Sequence, residues 1–345
     1  MRKLWQNEVS RRKLLGGAAA AGAAIPILHE LVPHQGLHGQ DASASEQAVS
    51  NAHQGHRGSG HLGARGRVNA RANGFDPQAI LRDFDEGTLR NGVREWEIVA
   101  EDREIEVAPG VKYAAWTYNG RVPGPTLRAR EGERLRIRFI NASVHPHTIH
   151  FHGIHRDLSD GIPGVGAGNI GPGESTTYEF DATPFGLHLY HCHSTPLAEH
   201  IAKGLYGAFI IDPKEGRPSA DELVMVMNGF DTNFDRANEI YAVNTVAFAY
   251  MDEPVRVKRN ELVRIYLVNV FEFDLLNSFH IHANFFDYYP TGTRLEPRDF
   301  TDTVIQGQGE RGILELRFPY AGKYMFHAHV SEFAELGWMG FFEVV

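Results

Sequence analysis

The stretch His191-Cys192-His193 constrains this chain more than any other, because Cys192 is its single cysteine and stands between two histidines. On a β-strand successive side chains point to opposite faces, so His191 and His193 share one face and Cys192 takes the other. One strand can therefore serve two donor sets joined by a single residue. A thiolate grouped with imidazoles selects copper or zinc, and a His2Cys set is the ligand recipe of a blue-copper electron-transfer centre. Taken alone, the stretch reads equally well as a buried, inert cysteine with chance histidine neighbours. The other histidines decide. In His147-Thr148-Ile149-His150-Phe151-His152, His150 and His152 share a strand face and His147 takes the opposite one. One face thus pools His150, His152, His191 and His193, and the other gathers His147, Cys192 and His200.

The second half of the chain repeats the first. Glu261-Leu262-Val263-Arg264-Ile265-Tyr266-Leu267-Val268-Asn269 echoes Glu133-Arg134-Leu135-Arg136-Ile137-Arg138-Phe139-Ile140-Asn141. His280-Ile281-His282 stands where His150-Phe151-His152 stood, and His327-Ala328-His329 where His191-Cys192-His193 stood. A repeat of about 130 residues is too long for a solenoid and implies two similar domains. The differences between the copies fall on one face. Ala328 replaces the cysteine, Asn277 replaces His147 and Phe333 replaces His200, while both His-X-His pairs survive. One donor set is present once; the other recurs in both copies.

From Arg94 the chain reads as short strands between Gly/Pro turns. Trp96–Ala100, Lys112–Trp116 and the alternating Arg134–Ile140 are strands, and no long stretch has helical periodicity. This pattern predicts an all-β fold of two Greek-key β-sandwich domains. The expected boundaries are 94–213 and 214–345, with Asp212–Pro218 as the linker. Asp76-Pro77 predicts a short helix over Phe75–Arg90. Residues 71–345 carry 26 Lys/Arg against 39 Asp/Glu, which leaves no electrostatic footprint for nucleic acid.

Ser10-Arg11-Arg12-Lys13 before an Ala-rich apolar run is a twin-arginine export pattern, and Ala42-Ser43-Ala44 offers a cleavage site, so 1–44 is expected to be a signal peptide. The run from Leu14 to Leu28 is too short to span a bilayer, which needs ~20 apolar residues. No membrane span is expected, and the destination is the periplasm, the cell envelope or the outside. Residues 45–93 read as a His/Gly-rich tail with a short helix. Six histidines between His29 and His61 fit a disordered linker, or a weak copper-loading tail.

On its four His-X-His motifs the chain resembles the multicopper oxidases over roughly residues 94–345, specifically the two-domain laccase-like members with the blue copper in the first domain. It is also related to the copper nitrite reductases. The resemblance implies cupredoxin-like sandwiches and four coppers per subunit. His147, Cys192 and His200 would bind the type 1 copper, with Leu205 at the axial position where many members place a methionine. His150 and His280 would hold the type 2 copper. His152, His191 and His329 would hold one type 3 ion, and His193, His282 and His327 the other. The implied activity is that of a copper-dependent oxidoreductase with O2 as acceptor. Single electrons from a small reducing substrate or metal ion enter through the His200 edge of an exposed type 1 site, and O2 goes to water at the trinuclear cluster. The family also implies a homotrimer, each cluster shared between neighbours.

Two departures qualify the resemblance. The Cys192–His200 spacing exceeds that of three-domain members, leaving Ser194–Glu199 as a loop, and Leu205 cannot donate a thioether. Asp160 and Asp287 are candidates for proton supply by their closeness in sequence to the metal strands, although Asp160-Gly161 is first of all a turn. Two other functions compete. A nitrite reductase would carry an aspartate where His150 stands, and a copper store or carrier would hold copper without turnover.

Overall fold

The computed structural model describes Val68, Asn73 and residues 75–345. The expected signal, its cleavage site and the tail histidines lie outside the described residues. Asp76 caps a helix as expected, accepting from the Gln78 N–H at 3.0 Å with Pro77 in the first position. That helix ends at Ile80 instead of reaching Arg90. Strand pairing overrides it: Phe84–Asp85 runs parallel to Thr126–Leu127, and Thr88–Arg90 folds back antiparallel on Val93–Glu95.

Two β-sandwiches follow. In the first, one sheet holds Thr88–Arg90, Val93–Ala108, Val111–Tyr118, Arg134–Asn141 and Ser175–Asp181. The facing sheet holds Phe84–Asp85, Thr126–Arg130, Tyr206–Asp212, Gly186–His191 and His150–Phe151. The second sandwich pairs a six-stranded sheet, centred on Val263–Asn269 and Arg311–Leu316, with a five-stranded one centred on Gly322–His327. The echoed segments occupy the same place in each copy. Arg134–Asn141 lies parallel to Val93–Ala100, and Val263–Asn269 lies parallel to Asp221–Met227.

The one difference between these echoed strands has a packing cause. Arg134–Asn141 alternates buried positions with partly buried ones and the exposed Arg138, whereas Val263–Asn269 is buried throughout. Its outer face meets the first sandwich, so Tyr266 stands where the first copy has the exposed Arg138. Arg264, retained from Arg136, is enclosed there and held by Glu222 at 2.9 Å and Glu315 at 2.6 Å. Glu222 also takes Arg128 of the first sandwich at 2.6 Å. The core between the sandwiches includes Tyr113, Leu189, Tyr206, Val224, Phe230 and Tyr266. It buries apolar surface worth about 25 cal/mol per Å².

Strand Gly186–His191 is buried at every position, and its two faces serve different cores. Leu187 and Leu189 point into the core between the sandwiches; Tyr190 and, just beyond the strand, Cys192 point into the first sandwich's own core. His150 pairs across the sheet with His191, and His280 pairs with His327 in the second copy.

Candidate metal centres

His147, Cys192 and His200 come together in the first sandwich, fully enclosed at 0%, 0% and 3% exposure. His147 follows the turn made where Asn141 Oδ1 accepts from the Ser143 N–H at 3.0 Å. His200 sits in the helix Leu197–Ala202, which Pro196 precedes. The expected loop Ser194–Glu199 is therefore a loop only to Pro196, because proline's fixed φ suits a helix start. The three donors lie close: Nδ1 to Nδ1 of the histidines 3.1 Å, Sγ to His200 Nδ1 3.2 Å, and Sγ to His147 Nδ1 3.9 Å. Nitrogen and sulfur donors bind first-row ions at about 2.0–2.3 Å, so three around one ion lie ~3.3–3.9 Å apart, and the two shorter spacings here need to open by only about 0.1–0.3 Å to admit one. The set fits a copper-sized ion, and its donor chemistry is that of a blue-copper site.

Second contacts fix the tautomer. Ser143 Oγ lies 3.0 Å from Asp102 Oδ1 and 2.9 Å from His147 Nε2. The carboxylate must accept from the hydroxyl, which leaves the hydroxyl oxygen to accept from Nε2–H and bares Nδ1 toward Cys192. Burial pushes the pKa of His147 down to about 3 and that of His200 to about 4, so both rings are neutral and ready to bind a metal. Burial pushes the Cys192 thiol up, while the Thr148 N–H donates to its sulfur at 3.3 Å. Leu205 is enclosed in the same core as Cys192, and its carbonyl accepts the Cys192 N–H at 2.9 Å.

The face carrying His191 holds the second set. His152 and His191 present Nε2 to Nε2 at 2.8 Å, and His191 Nδ1 donates to the Cys192 carbonyl at 2.7 Å. His282 and His327 repeat this at 3.0 Å, with His327 Nδ1 donating to the Ala328 carbonyl at 2.6 Å. Two ring nitrogens that close need a proton or a cation between them. His193 joins through ring contacts at 5.4 Å to His150 and 5.8 Å to His191, and His329 through contacts at 5.2 Å to His280 and 5.9 Å to His327. Burial pushes His152 down to about 3 and His191 to about 4, with neighbouring imidazoles adding to the effect. Among the described residues, no contact joins the first four histidines to the second four within one chain.

Asp160 meets the site and Asp287 does not. Asp160 Oδ1 lies 2.9 Å from His150 Nδ1 and 3.3 Å from His155 Nε2. Asp287 lies in the strand Phe286–Pro290, in register with Phe300 and Glu315 and touching no histidine among the described residues. His188 braces the backbone, with its Nδ1 3.0 Å from the His152 carbonyl. The exposed type 1 site expected from the resemblance is not seen at His200, which is only 3% exposed and has Trp116 packed on its ring at 4.7 Å.

Sequence reasoning missed Asp102, Ser143, Trp116 and Glu272. Ser143 had a signal, since the repeat places Phe271 opposite it and so loses it together with the ligands. Glu272 lines a cavity of about 280 Å3 with His150, His152, His191 and His193, and burial pushes its carboxyl up to about 7. It comes from the second sandwich, and nothing in its sequence neighbourhood announces it.

The fold and the donor sets define a class, that of cupredoxin-like β-sandwich proteins with a His2Cys centre. Residues 100–216 and 217–345 each match a multicopper oxidase family profile, and the chain belongs to the multicopper oxidase family. A crystal structure described as a multicopper oxidase is 66% identical, with a TM-score of 0.79 over 81% of this chain and 100% of that one. The copper-containing nitrite reductase of Neisseria meningitidis is 32% identical over 250 residues, which is 66% of this chain and 63% of the relative. The match thus spans less than two thirds of that relative's length. Laccase-2 of Botryotinia fuckeliana is 40% identical over 130 residues, 36% of this chain and 22% of the relative.

Proposed function

We propose that this protein is a laccase-like oxidase that takes single electrons from a reducing substrate and delivers them to O2, forming water. In this reading His147, Cys192 and His200 hold a type 1 copper. His150 and His280 hold type 2, and the remaining six histidines hold the type 3 pair. Copper bound at these residues would supply one-electron acceptance at the His2Cys set and multi-electron reduction of O2 at the histidine set.

The observation that carries the reading is the strand ending at His191, with Cys192 facing one core and His191 the other. One residue of covalent chain, shortened by the bond from His191 Nδ1 to the Cys192 carbonyl, joins the two donor sets. The His2Cys set is enclosed, with its three ligands buried away from solvent. His150 Nδ1 donates to the Asp160 backbone carbonyl at 2.8 Å, beside the Asp160 carboxylate, and this fixes which nitrogen that ring offers. Glu272 keeps a proton on its carboxyl up to about neutrality, beside the histidines where O2 reduction consumes protons.

Separation of the two histidine sets within one chain supports shared sites between copies, closing as a head-to-tail ring of three. Leu275, Leu276, Phe285, Phe300 and Ile305 are exposed in the sandwich that carries His280 and His282, and Phe285 stacks on Phe300, apolar surface suited to such an interface. Arg11-Arg12 ahead of the apolar run supports delivery by the twin-arginine route to the envelope or beyond.

The test is reconstitution with copper, followed by oxygen uptake with a panel of phenols, anilines, Fe(II), Mn(II) and Cu(I). The expected result is about four coppers per chain and O2 consumption without peroxide release. Copper retention with no O2 uptake would identify a store or carrier, and nitrite consumption without O2 uptake a nitrite reductase.

A further inference from the structure

We propose that Trp116 is the residue through which electrons from the donor reach the His147–Cys192–His200 centre. The proposal rests on reading that centre as a copper site. Its starting point is a conflict: an electron-accepting centre must be approached closely by its donor, yet all three ligands are buried. Among the described residues, two rings both touch the ligand imidazoles and reach solvent. Trp116 lies 4.7 Å from His200 and 5.2 Å from His147, and it is partly exposed. His145 is exposed, but its only ring contact with a ligand is to His147, at 6.4 Å, and it lies tilted against Trp116 at 4.7 Å. Trp116 alone contacts both ligand rings and the surface.

The internal repeat supplies an independent comparison. The backbone N–H of Trp116 donates to the Lys203 carbonyl at 2.9 Å, and the backbone N–H of Tyr241 donates to the Leu336 carbonyl at 3.2 Å, each just before the corresponding Gly204 and Gly337. Tyr241 is therefore the counterpart of Trp116 in the sandwich whose blue-site ligands are gone. There the ring is 4% exposed and stacks at 4.1 Å on Phe333, the residue in place of His200. The aromatic position is sealed where no ligand lies behind it and open where one does.

Charge sets how the ring works. The Lys203 ammonium lies 5.9 Å above Trp116, and a cation over an indole face makes it harder to remove an electron from the ring. Trp116 is thus a bridge and is not itself oxidised. In the step, the donor gives up one electron and, if phenolic, its hydroxyl proton to water. That electron reduces bound Cu(II) to Cu(I), and the indole ends unchanged. Val144 and Pro146 are exposed beside His145, giving an uncharged rim where a flat donor can lie against the indole.

The experiment compares the copper-loaded wild type with Trp116→Phe, Trp116→Leu and His145→Ala. Four quantities are read: the blue absorption, the type 1 potential, quenching of tryptophan fluorescence as Cu(II) is added to metal-free protein, and the anaerobic rate at which 2,6-dimethoxyphenol bleaches the blue band. We expect all variants to stay blue at an unchanged potential, and Trp116→Phe to lose the strongest quenching. Bleaching should slow about tenfold in Trp116→Leu and by less in Trp116→Phe, which keeps a ring. Bleaching of a blue Trp116→Leu at the wild-type rate overturns the proposal, as does slowing confined to His145→Ala. If Trp116→Leu fails to fold, an unslowed Trp116→Phe overturns it. A wild type that binds copper without becoming blue removes the underlying copper reading instead.

Discussion

Cys192 is a poor nucleophile and a good metal ligand in waiting. Burial disfavours its thiolate, so a bound cation must displace the proton, and metal binding should release it. Cys192→Ser should abolish the blue absorption and turnover while leaving copper at the histidine set. A variant that remains blue would remove Cys192 from the centre. Leu205 shares the enclosed pocket and offers no thioether to stabilise oxidised copper. Leu205→Met should therefore lower the type 1 potential in a redox titration, and an unchanged or raised value would take Leu205 out of the axial place.

The same buried histidines give a pH signature. His147, His152, His191 and His200 have folded pKa values of about 3 to about 4 because burial disfavours their charged forms. The unfolded chain protonates its histidines near pH 6.5, so between these values it binds more protons than the folded chain. Stability of the metal-free protein is thus full above about pH 6.5 and declines as pH falls toward 4, by at most about 1.4 kcal/mol per histidine per pH unit. Urea midpoints at about pH 7.5 and about pH 4.5 should differ accordingly, and equal midpoints would mean that these rings are already solvated.

At the scale of elements, the junction between the sandwiches turns on Glu222. Burial pushes its carboxyl up, but hydrogen bonds from Arg128, together with Tyr266 and Arg264, more than offset this and hold it below the usual range. Glu222→Gln removes the negative charge that two arginines share and leaves Arg264 enclosed with Glu315 alone. Breaking a buried pair from one side should cost about 3 kcal/mol, read as a lower urea midpoint. Strands were legible wherever alternation was strict, as in Arg134–Asn141, because one face met the core and the other met water. The helix at Pro77 was legible only at its start. A cap is set by adjacent residues, whereas the helix ends where Phe84 pairs with Thr126, distant in sequence.

At the scale of the molecule, the proposed sharing of sites has a direct test. One variant lacks His150 and His152, the other lacks His280 and His282, and the two are refolded together. If sites form between copies, the mixed assemblies should regain activity at about one interface type in four, where two intact halves meet. Mixed assemblies of confirmed mass with no activity would mean that each chain completes its site alone.

By itself the sequence determined how the donors sort, because the two-residue period of a strand sends Cys192 and His191 to opposite faces whatever surrounds them. It also determined that one donor set is single and the other doubled, since the repeat aligns Ala328 with Cys192. Burial of His200, the bracing of His147 by Asp102 through Ser143, the contact of Trp116 with both ligand rings and the arrival of Glu272 beside the first four histidines were decided only by the tertiary structure. Each joins strands or loops far apart in the chain, and no local pattern encodes which distant side chain will fill the space beside a given ring.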